Sequence, residues 1–304
     1  MANTFLTAQT IAQQALANLY ETTVMASLVH RDYEAEFARK QGDAITIRKP
    51  TTFVANEYNR ASGITVQDAT ENSVNMTLNH FADVSFAVTS EDMTLKIQDF
   101  DEQLLTPAME AISQKIDRDL IALRTDVVQE VGVVAGDNEW AWDNPRVLID
   151  AGRVLNAQKV PQTERRAVVG PTIAARWLGD PLFHEADKRG STEGLTEASL
   201  GRRVFGFDPY MTQNIAKPAQ TPGNSTTEEG LAFHKSAFAL AFRPLELPMG
   251  ARDAAISNYK GFGLRVVYDY DMDKKQMVVS VDCLYGTKTL DANRAVLIKG
   301  ADVA

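Results

Sequence analysis

One stretch limits what this chain can fold into more than any other, a helical hydrophobic period running from about residue 100 to residue 131. Leu105, Met109, Ile112, Ile116, Leu120, Leu123, Val127 and Val131 recur at steps of three and four. That spacing traces one stripe along a helix of 3.6 residues per turn. Gln114, Lys115, Asp117, Arg118, Arg124, Asp126 and Gln129 fall on the opposite, polar face. Asp99 is placed to cap the first turn, with Glu102 at capping-box spacing, and Gly132 is the expected stop. Pro107 near the start resets the first turn or kinks it. A helix of that span is roughly 45 Å long at about 1.5 Å per residue. It outruns an ordinary compact core, so it is expected to act as a spine crossed by other layers, or as part of something larger.

The remaining texture is that of a folded globular chain of 304 residues, 44% hydrophobic. No run of about 18 apolar residues exists to cross a membrane, and no basic-then-apolar leader opens the chain. The single cysteine, Cys283, lies in an apolar strand-like run, which fits a buried thiol and a reducing compartment. A formal net charge of −9 argues against a surface built wholly for gripping nucleic acid.

Before the spine, residues 1–41 read as a helical arm. Ile11, Ala15, Leu16 and Leu19, then Val24, Met25, Leu28 and Val29, keep helical spacing, and Tyr33 and Phe37 share a face four residues apart. Such an arm buries little by itself and must dock, in cis or on a neighbour. Residues 44–50 then alternate apolar and polar, as do residues 74–88, with a polar, turn-rich tip over 56–72 between them. This predicts a long two-stranded arm, which is marginal in water without a partner surface.

After the spine, Asn144–Pro145 opens a helix ended by Pro161, residues 166–170 form a short buried strand, and Pro171 opens the next helix. Residues 184–200 and 216–230 read as loops, and 201–215 as strand-like around a Gly/Pro break. Two apolar runs fill 231–247, a hairpin spans 264–285 around residues 271–275, and a last strand lies within 289–299.

Chemistry-bearing patterns are scarce. Asp269, Asp271 and Asp273 resemble the opening of a calcium loop, but Lys274 stands where glycine is needed and Ser280 where a bidentate glutamate is needed. A charged hairpin turn is the better reading. His30, His80, His184 and His234 show no ligand spacing. No nucleophile elbow and no phosphate loop is present. No catalytic residue, cofactor or metal ligand is assigned.

The order of pieces resembles the HK97-type fold of tailed-bacteriophage major capsid proteins. Four stretches are similar, more narrowly, to the P22-like coat proteins: LVHRDYEAEFARKQGDAITIRKP (Leu28–Pro50), EQLLTPAMEAISQKIDRDL (Glu102–Leu120), SLGRRVFGFDPYMTQNI (Ser199–Ile215) and AFHKSAFALAFRPLELP (Ala232–Pro248). The resemblance implies an α+β, HK97-like capsid fold. Its parts are an N-arm (1–41), an E-loop (42–90), a P-domain with the spine helix (91–143), a mixed α/β A-domain (144–255) and C-terminal strands returning to the P-domain (256–304). It implies a non-enzymatic coat protein assembling as hexamers and pentamers into an icosahedral head around double-stranded DNA. Implied partners are scaffolding, portal and decoration proteins, with DNA contacted weakly and no membrane. Implied locations are the virion capsid and, during assembly, the host bacterial cytoplasm. In the family the E-loop lies on a neighbouring subunit, which makes Arg48, Lys49, Glu57, Tyr58, Arg60, Asp68 and Glu71 candidate intersubunit contacts, and the N-arm likewise crosses to a neighbour. The prototype's large inserted β-domain has no room in this chain. An encapsulin-like compartment of the same fold, and a cytoplasmic α/β enzyme with an unrecognised site, are the competing readings.

Overall fold

The computed structural model describes residues 24–33, 37, 44–49, 51, 53–58, 60, 63–64, 66–68, 72–91, 106–185, 200, 203–243, 245–248, 253–259 and 262–304. Among them, twelve strands form a two-stranded ribbon and two five-stranded sheets. The ribbon pairs β1 (Ala44–Lys49) with β2 (Asn72–Thr77), antiparallel, from Ala44 opposite Thr77 to Lys49 opposite Asn72.

The first sheet is the α/β layer. Its order is β4 (Glu130–Val131), β12 (Ala295–Ile298), β7 (Gly230–His234), β5 (Arg165–Val169), β6 (Asp208–Met211). Both faces are covered. Ala167, Val169, Ala232, Val296 and Ile298 pack into one core with helices α3 (Val147–Ala157) and α4 (Pro171–Leu178). The alternate residues Val168, Leu231, Phe233, Ala295 and Leu297 pack into a second core with the spine helix. Two buried faces explain why these strands read as unbroken apolar runs rather than alternating ones. The first amides of α4 are taken internally: Glu228 accepts from Thr172 N at 3.0 Å, Thr172 Oγ1 at 2.6 Å and Ile173 N at 3.3 Å.

The second sheet is antiparallel, ordered β3 (His80–Thr89), β11 (Gln276–Thr289), β10 (Phe262–Asp271), β9 (Asp253–Tyr259), with β8 (Phe238–Arg243) on the far half of β11. The spine helix α2 (Thr106–Ala122) lays Ile112, Ile116, Leu120 and Ile121, each at most 1% exposed, into the core that also holds Leu264, Val266, Val279, Val281 and Tyr285. Each such side chain contributes about 1.5–3 kcal/mol by leaving water. Cys283 is buried in this core, and burial pushes its thiol up.

Several sequence expectations are corrected here. The spine helix ends at Ala122, not Val131, passing through a 3₁₀ turn (Leu123–Asp126) into strand β4. Five valines at 127, 128, 131, 133 and 134 are stiff at χ1 and favour extended chain. Gly132 stops no helix; its φ is +113° and a Cβ there would strike the backbone of Lys299. Asp99, Glu102 and Leu105 lie outside the described residues. Asp117 is not on an open polar face, being only 1% exposed.

The helical reading of the arm over residues 1–41 is broken at Val29. Helix α1 (Met25–Leu28) stops there because the next residue joins a sheet: His30 N donates to Phe238 O and Leu240 N to His30 O, both at 3.0 Å. Residues 74–88 form two strands, not one. β2 stays with the ribbon, while β3 pairs with β11 from Thr89 opposite Gln276 to His80 opposite Tyr285. Asp253–Tyr259, left unassigned by pattern, is β9. The C-terminal strands do not all return to one layer: β10 and β11 lie under the spine, and β12 crosses into the α/β layer between β4 and β7. The loop at 186–199 lies outside the described residues.

Candidate assembly interface

The ribbon has two ends with opposite character. At its root, Ile45 and Met76 are at most 1% exposed and pack with Phe37, Leu78, Ala239 and Ala241. Glycine at 286 permits this seat, since a Cβ there would strike the carbonyl of Thr77 and approach Leu78 Cα to 3.2 Å. Alternation along β1 and β2 thus supplies one buried face, with the body lending the other half of the core.

Beyond the strands the apolar side chains find no such cover. Phe53, Val54, Tyr58, Ile64 and Val66 are between 63% and 83% exposed. The two sides of this outer segment are tied by one amide: Val54 N donates to Gln67 Oε1 at 3.0 Å, and Gln67 Nε2 donates back to Val54 O.

Of the residues singled out from sequence, Arg48 is exposed and Lys49 half-buried, opposite Ser73 and Asn72 on the ribbon. Glu57, Tyr58, Arg60 and Asp68 are all exposed on the outer segment, and Glu71 lies outside the described residues. Tyr58 is the one aromatic among those named; Phe53, Val54, Ile64 and Val66, which were not singled out, are exposed and apolar on the same segment. The signal was available: β-branched and aromatic residues in a segment otherwise rich in Asn, Asp and Ser. Gln67 carried no signal, because its role depends on a partner thirteen residues away.

The chain leaves the ribbon at Leu78–Asn79 and enters β3 at His80, and that elbow is polar. His80 Nδ1 lies 3.4 Å from Asp119 Oδ2 on the spine helix, and its ring stacks on Tyr285 with centroids 5.2 Å apart. Tyr285 Oη donates to Asp119 Oδ2 at 2.5 Å, and Lys115 Nζ lies 3.1 Å from the same oxygen. Burial, reinforced by Asp119, pushes the Tyr285 phenol up. Thr77, Asn79, His80, Asp119, Asp126 and Lys288 line a cleft of about 310 Å³ beside it. Nothing in this arrangement sets a nucleophile against a base. It positions a strand.

Asp271, from the calcium-like run, accepts from Asp273 N at 3.0 Å and Lys274 N at 3.2 Å, so it caps the β10–β11 turn. His234 Nδ1 accepts from Ser236 N at 3.2 Å, closing the 3₁₀ turn between β7 and β8.

A family model described as P22 coat protein, gene protein 5, matches residues 1–242. Among solved structures, one from Mycobacterium phage Che8 is 19% identical with TM-score 0.67, covering 98% of this chain and 93% of that one. The capsid structure of cyanophage P-SCSP1u is 12% identical with TM-score 0.62, covering 92% and 88%. The virus-like particle from Pyrococcus furiosus is 11% identical with TM-score 0.53, covering 95% and 97%. No curated protein sequence matches this chain.

Proposed function

Because this chain belongs to the P22 coat protein family and has the HK97-like α+β capsid fold, we propose that it builds its shell from hexamers and pentamers by laying its β1–β2 arm on the adjacent subunit. It is a major capsid protein, a structural component of the phage virion rather than an enzyme. The finer reading is an icosahedral head enclosing double-stranded DNA, assembled in the host cytoplasm with scaffolding, portal and decoration proteins.

The observation that carries the arm's role is its uncovered outer segment. A two-stranded ribbon has too little to bury for independent stability, and Phe53, Val54, Tyr58, Ile64 and Val66 add five apolar side chains that a lone subunit leaves in water. A neighbour's surface removes both costs. Arg48, Lys49, Glu57, Arg60 and Asp68 then form the polar rim around those apolar contacts. A net charge of −9 suits a lining that holds packaged DNA loosely, since each neutralised phosphate adds affinity. The described helices include none long and apolar enough to cross a membrane.

The test is negative-stain microscopy of the purified chain, alone and co-expressed with any scaffolding gene that neighbours its own. Closed shells with hexamer and pentamer texture are expected. Only small discrete particles under both conditions would overturn the reading. The fold is shared with the virus-like particle from Pyrococcus furiosus, so an encapsulin-like compartment is the second reading. Shells that retain a protein cargo and exclude DNA would favour it.

A further inference from the structure

The ribbon's strands stop at Lys49 opposite Asn72, but its register does not. Five residues further along each side, that register sets Val54 opposite Gln67. These are the two residues joined there: Val54 N donates to Gln67 Oε1 at 3.0 Å, and Gln67 Nε2 donates to Val54 O. In a hydrogen-bonded antiparallel pair, two opposite residues exchange both of their backbone bonds. Here a side-chain amide, which carries a donor and an acceptor on one planar group as a peptide does, fills the place of one strand's backbone. It joins two residues that are thirteen apart in sequence.

Register matters on this arm because of where its apolar residues fall. Side chains alternate along an extended chain, so a slip of one residue turns the apolar set to the other face. Counted by twos from the root, Phe53 is in phase with Ile45 and Ile47, and Val66 and Ile64 are in phase with Met76 and Val74. Burial of Ile45 and Met76 fixes that phase at the root. The outer segment has no core to fix it, because Phe53, Ile64 and Val66 are each at least 63% exposed. Strands without a buried face specify register weakly.

We propose that Gln67 is the positioning residue of the arm, a register lock that holds Phe53, Ile64 and Val66 in phase with the root before the arm meets the adjacent subunit. This role rests on the arm lying on that subunit. Gln67 then lowers the ordering cost that docking carries. A subunit whose arm is in phase only part of the time docks with an affinity reduced by that fraction.

The test compares the full-length chain with Gln67→Met, which keeps the side chain's length and makes neither bond. Exchange of the Val54 amide in the unassembled subunit, followed by NMR, is expected to quicken about threefold to tenfold, the worth of about one hydrogen bond. The protein concentration at which shells form is expected to rise by a factor of about three to ten, with the urea midpoint unchanged. Gln67→Glu, which keeps an acceptor for Val54 N but sets a carboxylate against Val54 O, is expected to assemble no better than Gln67→Met. The double variant Val54→Cys, Gln67→Cys separates holding the register from a contact that Gln67 makes with the neighbour. Bridging its two thiols with a short bismaleimide is expected to lower the shell-forming concentration below that of the unbridged protein; Cys283 is buried and stays out of the reaction.

An unchanged shell-forming concentration in Gln67→Met, or an unchanged Val54 exchange rate, would overturn the lock. So would a bridged protein that assembles no better than the unbridged one, or a urea midpoint that falls with Gln67→Met, which would assign the amide to the fold of the subunit. Replacing Phe53, Tyr58 and Ile64 by serine tells this failure from that of the arm itself. Shells that form normally from Gln67→Met but not from the serine variant refute only the lock, whereas normal shells from both refute the arm's place on the neighbour as well.

Discussion

The α/β layer and the β1–β2 ribbon are built from strands of similar length, yet they solve burial in opposite ways. Strands β5, β7 and β12 are covered on both faces from within the chain, and every residue of β7 and β12 is buried. The ribbon is covered only at its root, and its outer segment exposes five large apolar side chains. The first is a core that a single subunit completes. The second is half a core, and on the proposed reading its other half comes from a neighbouring subunit. Stability of the fold and competence to assemble should therefore be separable by mutation.

The largest effect on folding is expected in the layer between the two cores. Phe233 is fully buried and meets Phe238 edge-on with centroids 5.4 Å apart. Phe233→Ala removes that packing and leaves a cavity, at a cost of about 3–5 kcal/mol. Urea denaturation of the subunit is the measurement. A loss under about 1 kcal/mol would mean the site collapses easily and that the layer is less rigid than its burial implies.

A smaller and more local effect is expected at the ribbon's root. Gly286→Ala places a methyl group against the backbone of Thr77 and Leu78, which no side-chain rotation relieves. Overpacking of this kind costs about 1–3 kcal/mol. The strain falls where the arm meets the body, so exchange protection over residues 72–79 should drop while that of β5 and β7 holds. A uniform loss across both regions would show that root and body unfold as one unit.

How far each region was legible in the sequence follows the same division. Ile112, Ile116 and Leu120 announced the spine because burial on one side of a helix leaves a clean stripe. Its end was hidden: Val127 and Val131 are four apart, a spacing that shares a face on a helix and also on a strand. The even-numbered residues from Val74 to Val88 keep one apolar phase except at His80, so the switch of partner from β1 to β11 at Leu78–Asn79 leaves only that single polar residue as a mark. Alternation says which face a residue takes, not which strand it pairs with. The continuous runs of β7 and β12 announced buried strands but not their layer. Asp117 read as polar surface because the N-terminal segment that covers it is ninety-two residues away in sequence. On the ribbon's outer segment, charge drew attention to Arg60 and Asp68, while exposure of Ile64 and Val66 needed the fold.

The smallest effect on folding, and the sharpest separation of the two regions, is expected at the ribbon's outer segment. Replacing Phe53, Tyr58 and Ile64 together by serine removes apolar surface that the lone subunit already leaves in water. Surface substitutions of this sort change stability by only about 0.5 kcal/mol. A contact made only between subunits cannot register in a subunit's unfolding, so the denaturation midpoint should stay put while shells fail to close or fall apart. Sedimentation of assembly mixtures reads the second quantity, and urea denaturation the first. Normal shells from this variant, or from a chain lacking residues 56–72, would remove the arm from the interface and leave its exposed side chains without a function. A fallen midpoint would point instead to cis packing of the outer segment, and the half-core comparison would fail at the place where it makes its clearest claim.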